Sequence, residues 1–96
     1  MNSTNEQTLL AQLRQDDEAA FDTLFRAYYE PLCRYATSIL NNLDDAEDVV
    51  QQVFIKFWEQ RTTLDVKWSV KAYLYKMVHN RSLNRLRDAL NREQKN

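Results

Sequence analysis

The chain of 96 residues contains no glycine and a single proline. Glycine is the residue that most readily supplies positive φ in tight turns, bulges and helix C-caps, so its absence disfavours a hairpin-rich β fold. Phosphate-binding loops of the GxGxxG and Walker types are excluded as well, because they need glycine where the backbone approaches the ligand. The sequence therefore favours helices, and its length suits one domain with a modest core.

Charge is distributed unevenly along the chain. The net charge is −1, but residues 1–60 carry four Lys or Arg against eleven Asp or Glu, and residues 61–96 carry nine against three. The two parts therefore have net charges of −7 and +6. Such an asymmetry indicates an acidic and a basic surface with different partners.

Several classes of protein are disfavoured by what the sequence lacks. Cys33 and His79 are the only residues of their types, so we expect neither an internal disulfide nor a zinc site. No apolar run approaches the roughly 20 residues of a membrane span, and the N-terminus lacks the segments of a signal peptide. No catalytic set is evident. We expect a cytoplasmic, non-enzymatic protein without a cofactor and without membrane insertion.

Apolar residues recur at helical spacing over most of the chain. A first helix is predicted over about residues 5–15, with Ser3 and Glu6 as a capping box. A second helix follows the acidic pair at residues 16–17, with a bend near Tyr29–Glu30 because Pro31 removes a backbone hydrogen bond. Asp44 is predicted to cap a third helix.

Ser69 is predicted to cap a fourth helix, whose apolar stripe shifts beyond Asn80. Together these patterns predict an all-α fold, a compact bundle of three to four helices. The expected domain covers residues 7–90, after a polar tail at residues 1–6.

The third predicted helix carries a polar surface beside its apolar stripe. Its members are Asp45, Asp48, Gln51, Gln52 and Ile55. The last four are related by spacings of three and four residues, so they share one side of the helix. Acid, amide and isoleucine together suit docking onto a partner helix that presents arginine and apolar groups. The alternative is a solvated helix face.

Residues 67–81 interleave basic residues with aromatic ones. This pairing suits single-stranded nucleic acid, because cations follow the phosphates and aromatic faces accept unstacked bases. On a helical wheel, one arc of about 80° beside the apolar stripe holds five residues: Tyr73, Lys76, Asn80, Asn84 and Arg87. The alternative is that Trp68 and Tyr73 are core residues and the lysines are merely solvated.

The order of these motifs resembles region 2 of a bacterial sigma factor of the extracytoplasmic-function (ECF) type, in the sigma-70 family, over about residues 8–88. The most specific element is the run DAEDVVQQVFIKFW at residues 45–58. The later run LYKMVHN at residues 74–80 is specific in combination with it.

The resemblance implies a helical domain whose acidic helix docks on the clamp helices of the largest subunit of core RNA polymerase. Carried over by position, Asp48, Gln51 and Gln52 would contact the polymerase. It also implies that the last helix and the loop before it engage the promoter minus-ten element and hold unpaired bases of the non-template strand. The residues carried over to the DNA side are Lys67, Trp68, Lys71, Tyr75, Asn80 and Arg87. An anti-sigma factor that covers the same faces is a further expected partner.

Members of this family also carry a C-terminal region 4 domain, a helix-turn-helix for the minus-thirty-five element. We therefore expect a domain or fragment in which residues 91–96 begin the linker to an absent region 4. Two alternatives stay open. One is a helical protein-interaction module without DNA binding, and the other is a duplex-binding helix-turn-helix repressor, for which a convincing glycine turn is missing.

Overall fold

The computed structural model describes residues 2–64 and 69–95, and within these ranges the chain forms four α-helices. In chain order they are α1 (Asn2–Arg14), α2 (Glu18–Leu40), α3 (Leu43–Glu59) and α4 (Val70–Lys95). The prediction of an all-α bundle of three to four helices is confirmed. Helical backbone also extends into residues 2–6 and 91–95, and the domain boundaries at residues 7 and 90 stay a prediction.

Two residues other than glycine supply the positive φ of the turns between helices. Asn41 ends α2 with φ 58° and ψ 31°, and its N–H donates to the Thr37 carbonyl at 2.7 Å. Asp16 has φ 64° in the turn between α1 and α2. Asparagine and aspartate visit this region more readily than other residues with a Cβ, because their short polar side chains bond locally. A chain without glycine therefore still makes these turns.

Side-chain caps begin two of the helices where the sequence predicts them. Asp17 Oδ1 accepts hydrogen bonds from the N–H groups of Ala19 and Ala20, at 3.0 and 3.3 Å. Ser69 Oγ accepts from the Ala72 N–H at 3.0 Å. Each cap satisfies backbone donors that have no partner within their own helix.

The predicted start of α3 at Asp44 is wrong by two residues. Asn42 is the N-cap, and its Oδ1 accepts from the Asp45 N–H at 2.9 Å. The reason is that Asn41 reverses the chain and leaves Asn42 extended, with φ −154° and ψ 117°, so the next helix begins at once. Asp44 lies in the first turn, where its charge favours the helix dipole.

Pro31 lies inside α2, which continues without interruption from Glu18 to Leu40. Proline removes one backbone donor, so the Ala27 carbonyl loses its usual partner in the helix. Leu32 and Cys33, directly after the proline, are both buried. Burial of these two side chains therefore offsets the lost hydrogen bond, and α2 stays helical through Pro31.

The core lies where α2, α3 and α4 meet. Phe21 contacts Trp58 edge-on, whereas Phe25, one turn later on α2, contacts Phe54, one turn earlier on α3. These pairs make α2 and α3 antiparallel. The largest fully buried side chains come from all four helices: Leu13, Leu24, Leu32, Val49, Val50, Val53, Phe57, Val70, Leu74 and Val78.

The apolar stripe of α4 leaves the core in the second half of the helix. Val78 is fully buried, but Leu83 is 38% exposed and Leu90 is 51% exposed. The shift of the stripe beyond Asn80 predicts this change. Apolar burial therefore contributes less to the packing of the C-terminal half of α4 than to that of its N-terminal half.

Candidate protein and nucleic-acid interfaces

The predicted protein-binding residues lie on one side of α3. At about 100° per residue, their Cα positions span an arc of about 120°. Gln51, Gln52 and Ile55 are exposed, and Ile55 is the most apolar of them with 59% of its surface exposed. Asp45 and Asp48 are half-buried, with side chains 45% and 47% exposed. The structure thus brings all five together on one surface, termed the α3 surface below.

Arg85 of α4 binds the two carboxylates of this surface. Its Nη1 contacts Asp48 Oδ2 at 2.5 Å, and its Nη2 contacts Asp45 Oδ1 at 3.4 Å. Hydrogen bonding to Asp48 is the main reason that the pKa of Arg85 is raised above its ordinary value, so the guanidinium stays charged. Arg85 is not among the residues that the sequence predicts for this surface. The available signal was an acidic and a basic pair at helical spacing, with Asp45 three residues from Asp48 and Arg81 four residues from Arg85.

Gln52 extends the same network. Its Nε2 donates to Asp48 Oδ2 at 3.2 Å, and its Oε1 accepts from Arg81 Nη1 at 3.4 Å. Arg81 and Arg85 are one turn apart on α4, so two successive turns of this helix are tied to α3 by polar contacts. These contacts hold the half of α4 whose apolar stripe has left the core.

An apolar groove of about 650 Å³ continues the predicted protein-binding surface between α2 and α3. Gln51 and Ile55, two members of that surface, line the groove together with four aromatic side chains. Glu18 and Glu59 also line the groove. The aromatic lining consists of Phe21, Phe25, Phe54 and Trp58. An acidic rim beside an apolar floor fits the partner chemistry that the sequence predicts.

Four of the predicted DNA-binding residues lie together on an exposed side of α4. Lys76, Asn80, Asn84 and Arg87 are all exposed. Arg87 Nη1 donates to Asn84 Oδ1 at 3.4 Å, so cation and amide stand side by side. This set, termed the α4 polar face below, presents groups that bind phosphates and base edges.

Two predicted aromatic members are engaged inside the bundle. The Tyr73 ring lies 6.1 Å from the Phe57 ring, and its hydroxyl donates to Gln60 Oε1 at 3.2 Å. Burial raises the pKa of Tyr73. Tyr75 packs edge-on against Tyr35, with ring centroids 5.3 Å apart.

The predicted DNA-binding set does not share a single face. Tyr73 adjoins the α4 polar face, but Tyr75 lies about 140° and Lys71 about 180° around the helix from Asn80. Lys67 and Trp68 lie outside the described residues. Their assignment to DNA stays a prediction, as do the roles of the other members.

Two contacts from α1 flank residues 65–68 in the sequence. Arg14 Nη2 donates to the Leu64 carbonyl at 2.9 Å, before this segment. Glu6 Oε1 accepts from the Val70 N–H at 2.7 Å, after it. The predicted capping box is therefore wrong, because Glu6 caps α4 rather than α1 and Ser3 lies inside α1. Spacing along the sequence does not predict a cap that joins two helices far apart in the chain.

Trp58 is covered by a cation at the end of α3. The Arg61 guanidinium lies 4.0 Å from the centroid of the Trp58 ring and donates to the Trp58 carbonyl at 2.8 Å. It also pairs with Asp16 at 2.7 Å. The turn after α3 is therefore tied to the turn between α1 and α2.

Cys33 and His79 are engaged in packing. Cys33 is free and buried, as expected of a packed thiol, and burial raises its pKa. His79 Nδ1 lies 2.8 Å from the Tyr35 hydroxyl, within hydrogen-bonding distance. In residues 2–64 and 69–95, no three His, Cys, Asp or Glu side chains cluster as metal ligands. Over the same ranges, no helix has the length and apolarity needed to cross a bilayer.

Comparison with known proteins identifies the family of the chain. A family model described as Sigma-70 region 2 matches residues 24–92. ECF RNA polymerase sigma factor SigM of Mycobacterium tuberculosis (strain H37Rv) is 32% identical over 81 residues, which are 84% of this chain and 41% of that protein. ECF RNA polymerase sigma factor SigW of Bacillus subtilis (strain 168) is 24% identical over 78 residues, 81% of this chain and 42% of that protein. No solved structure matches the chain significantly.

The chain spans about two fifths of the length of these relatives. The family match covers most of α2, all of α3 and nearly all of α4, the helices that carry both candidate faces. Sigma-70 proteins are non-enzymatic transcription initiation factors, in agreement with the prediction that the chain is not an enzyme. This chain belongs to the sigma-70 region 2 family, and its relatives among curated proteins are ECF sigma factors.

Proposed function

We propose that this chain is a transcription initiation domain that joins core RNA polymerase to promoter DNA. The α3 surface docks on the clamp helices of the largest polymerase subunit. The α4 polar face and the segment before α4 bind the minus-ten element and hold unpaired bases of the non-template strand. A protein with this role acts in the cytoplasm.

The polymerase-binding part of the proposal is supported by the chemistry of the α3 surface. Two half-exposed carboxylates, two amides and Ile55 adjoin an aromatic groove with acidic residues at its rim. A helix with arginine beside apolar residues complements this surface in charge and in hydrophobicity. Aromatic and arginine anchors in such pockets supply most of the binding energy of protein interfaces.

The DNA-binding part is supported by the excess of positive charge on residues 61–96 and by the exposed α4 polar face. Cations supply affinity for phosphates that falls as salt rises. Extrusion of a base from a duplex costs a few kcal/mol, so contacts to an unpaired base favour the melted promoter. A flexible pyrimidine–purine step lowers the cost of deforming the DNA.

The observation that carries the proposal is the placement of the two faces on neighbouring helices. The α3 surface and the α4 polar face lie on antiparallel helices that Arg85 joins directly. A partner bound on α3 is therefore held at a fixed distance from nucleic acid bound on α4. An anti-sigma factor that covers either face would block initiation.

A second candidate is a helical protein-interaction module that does not bind DNA. The internal packing of Tyr73 and Tyr75 favours it, because these rings serve the bundle as it stands. Under this alternative the α4 polar face is solvated, and single-stranded and duplex DNA bind equally weakly.

The experiment replaces Asp48 and Gln51 by alanine and measures the affinity of the chain for core RNA polymerase. We expect binding to weaken at least about tenfold, as for loss of central interface groups. The matched control is Gln12→Ala with Asp22→Ala, which removes one amide and one carboxylate from exposed positions on α1 and α2. Equal affinity of the two double variants, both shown to be folded by circular dichroism, would overturn the assignment of the α3 surface.

A further inference from the structure

Arg85 occupies carboxylates that the proposed function assigns to another partner. In the free chain its two terminal nitrogens contact Asp48 and Asp45. The Arg85 side chain is 35% exposed, and both carboxylates are nearly half exposed. A competing cation can therefore reach Asp45 and Asp48 without passing through the core, and a displaced Arg85 does not become a buried unpaired charge.

A cation from a protein partner and Arg85 compete for the same two acids. Two guanidinium groups brought to one carboxylate pair repel each other, and this repulsion acts over the few ångströms that separate them. Binding of a cationic partner helix to Asp45 and Asp48 therefore weakens the hold of these acids on Arg85.

The displaced guanidinium lies in a groove that suits an anion. A groove of about 740 Å³ between α3 and α4 is lined by Arg81, Arg85 and Arg92, by the carboxylates of Asp48 and Asp88, and by Asn84, which also belongs to the α4 polar face. The three arginines fall within an arc of about 40° of the helix. Once Asp48 is taken by a partner, Asp88 offsets only part of the charge of the three arginines that line the groove. A phosphate, which arginine binds through paired N–H groups, balances the rest.

We propose that Arg85 is exchanged between two partners: it holds Asp45 and Asp48 in the free chain, and binds a DNA phosphate when polymerase takes those carboxylates. This inference rests on the proposed function. Polymerase and DNA both favour the state with the Asp48–Arg85 contact open, so each increases the affinity for the other. Linkage of this kind is reciprocal, and its size is the difference in affinity of each partner for the two states.

The experiment compares Arg85→Gln with the unmodified chain in two binding measurements. The first is affinity for core polymerase without DNA, which we expect to increase about two- to fivefold, because the internal competitor is gone. The second is affinity of the chain–polymerase complex for single-stranded minus-ten DNA over a range of salt. We expect weaker binding, with the slope of log affinity against log salt reduced by about one.

Two further variants complete the test. Arg34→Gln is the matched control, because Arg34 is 69% exposed and forms an ion pair with Glu30, one turn away on α2. Arg85→Lys keeps the charge but cannot bridge two carboxylates with a planar fork. It is expected to tighten polymerase binding while it retains the salt slope, and it serves in place of Arg85→Gln if the latter fails to fold.

The outcomes separate this inference from the proposed function. Weaker polymerase binding by folded Arg85→Gln, or an unchanged salt slope, would show that Arg85 only braces α3 against α4 and would overturn the exchange. Either Arg85→Gln result leaves the proposed function intact, provided that replacement of Asp48 and Gln51 still abolishes polymerase binding. If the Asp48 and Gln51 replacements have no effect, the proposed function itself fails.

Discussion

Glu6 on α1 accepts a hydrogen bond at 2.7 Å from the backbone N–H of Val70, the first residue of α4, although the two lie 64 positions apart in the sequence. The N-terminal N–H groups of a helix have no partner within it, and a carboxylate there also favours the helix dipole. Glu6 thus caps the helix that carries the α4 polar face, and α1 helps to place the start of α4.

The first prediction concerns this cap. Glu6→Ala should lower the free energy of unfolding by about 1 kcal/mol, the usual cost of losing an N-terminal cap. Glu6→Gln should lower it less, because the amide oxygen still accepts. Urea unfolding followed by circular dichroism measures both. Glu30→Ala is the control, since it removes an exposed pair with Arg34 that is worth at most about 0.5 kcal/mol. Equal effects of Glu6→Ala and Glu30→Ala would contradict the cap.

Local features of the fold could be predicted from the sequence because they depend on neighbouring residues. Asp17 and Ser69 cap the helices that follow them, and the apolar stripe of α4 shifts beyond Asn80 as its spacing indicates. The start of α3 was misplaced because several consecutive residues can cap, and the conformation of Asn41 decides among them.

Long-range contacts could not be predicted in the same way. The contact between Arg85 and Asp48 depends on the register of two antiparallel helices, which is set by core packing and not by spacing along either helix. The same holds for Glu6. Its spacing from Ser3 predicts a local cap, but its carboxylate accepts instead from the Val70 N–H on α4. The α3 surface was predicted as a set, but the arginine bound to it was not.

The second prediction concerns Tyr73, which is packed against Phe57 and bonded to Gln60. Tyr73→Phe keeps the ring and loses one hydrogen bond, so it should cost about 0.5–1.5 kcal/mol. Tyr73→Ala also loses the ring contacts and should cost about 2 kcal/mol or more. Chemical denaturation measures the difference. Equal stability of the two variants would show that the ring contributes nothing to the bundle.

The third prediction concerns stability at alkaline pH. Burial raises the pKa of Cys33 above its ordinary value of 9.0. The folded chain then holds the thiol proton more tightly than the unfolded chain does. The corresponding stability is fully present below about pH 9 and is lost as pH rises through the raised pKa.

Replacement of the thiol isolates this effect. Cys33→Ala should flatten the decline in unfolding free energy that begins near pH 9, while a decline above pH 10 remains because burial also raises the pKa of Tyr28 and Tyr73. Urea unfolding at pH 7, 9 and 10 provides the comparison. The same loss of stability between pH 7 and 10 in both proteins would rule out the thiol as its source.

The fourth prediction tests the salt dependence of the α4 polar face. Arg87→Ala should weaken binding of the chain–polymerase complex to single-stranded minus-ten DNA. It should also reduce the slope of log affinity against log salt by about one, because one phosphate contact is lost. Arg34→Ala on α2 is the control. An Arg87→Ala slope equal to that of Arg34→Ala would remove Arg87 from the DNA interface.

The central claim is that one small helical domain holds polymerase on α3 and unpaired promoter DNA on α4. The most direct measurement is competition between labelled single-stranded non-template minus-ten DNA and the matching duplex for the chain–polymerase complex, with core polymerase alone as background. We predict preferential binding of the single strand, dependent on the chain and weakened by salt. Equal binding of both DNA forms, or single-strand binding no greater than that of core polymerase alone, would contradict the claim.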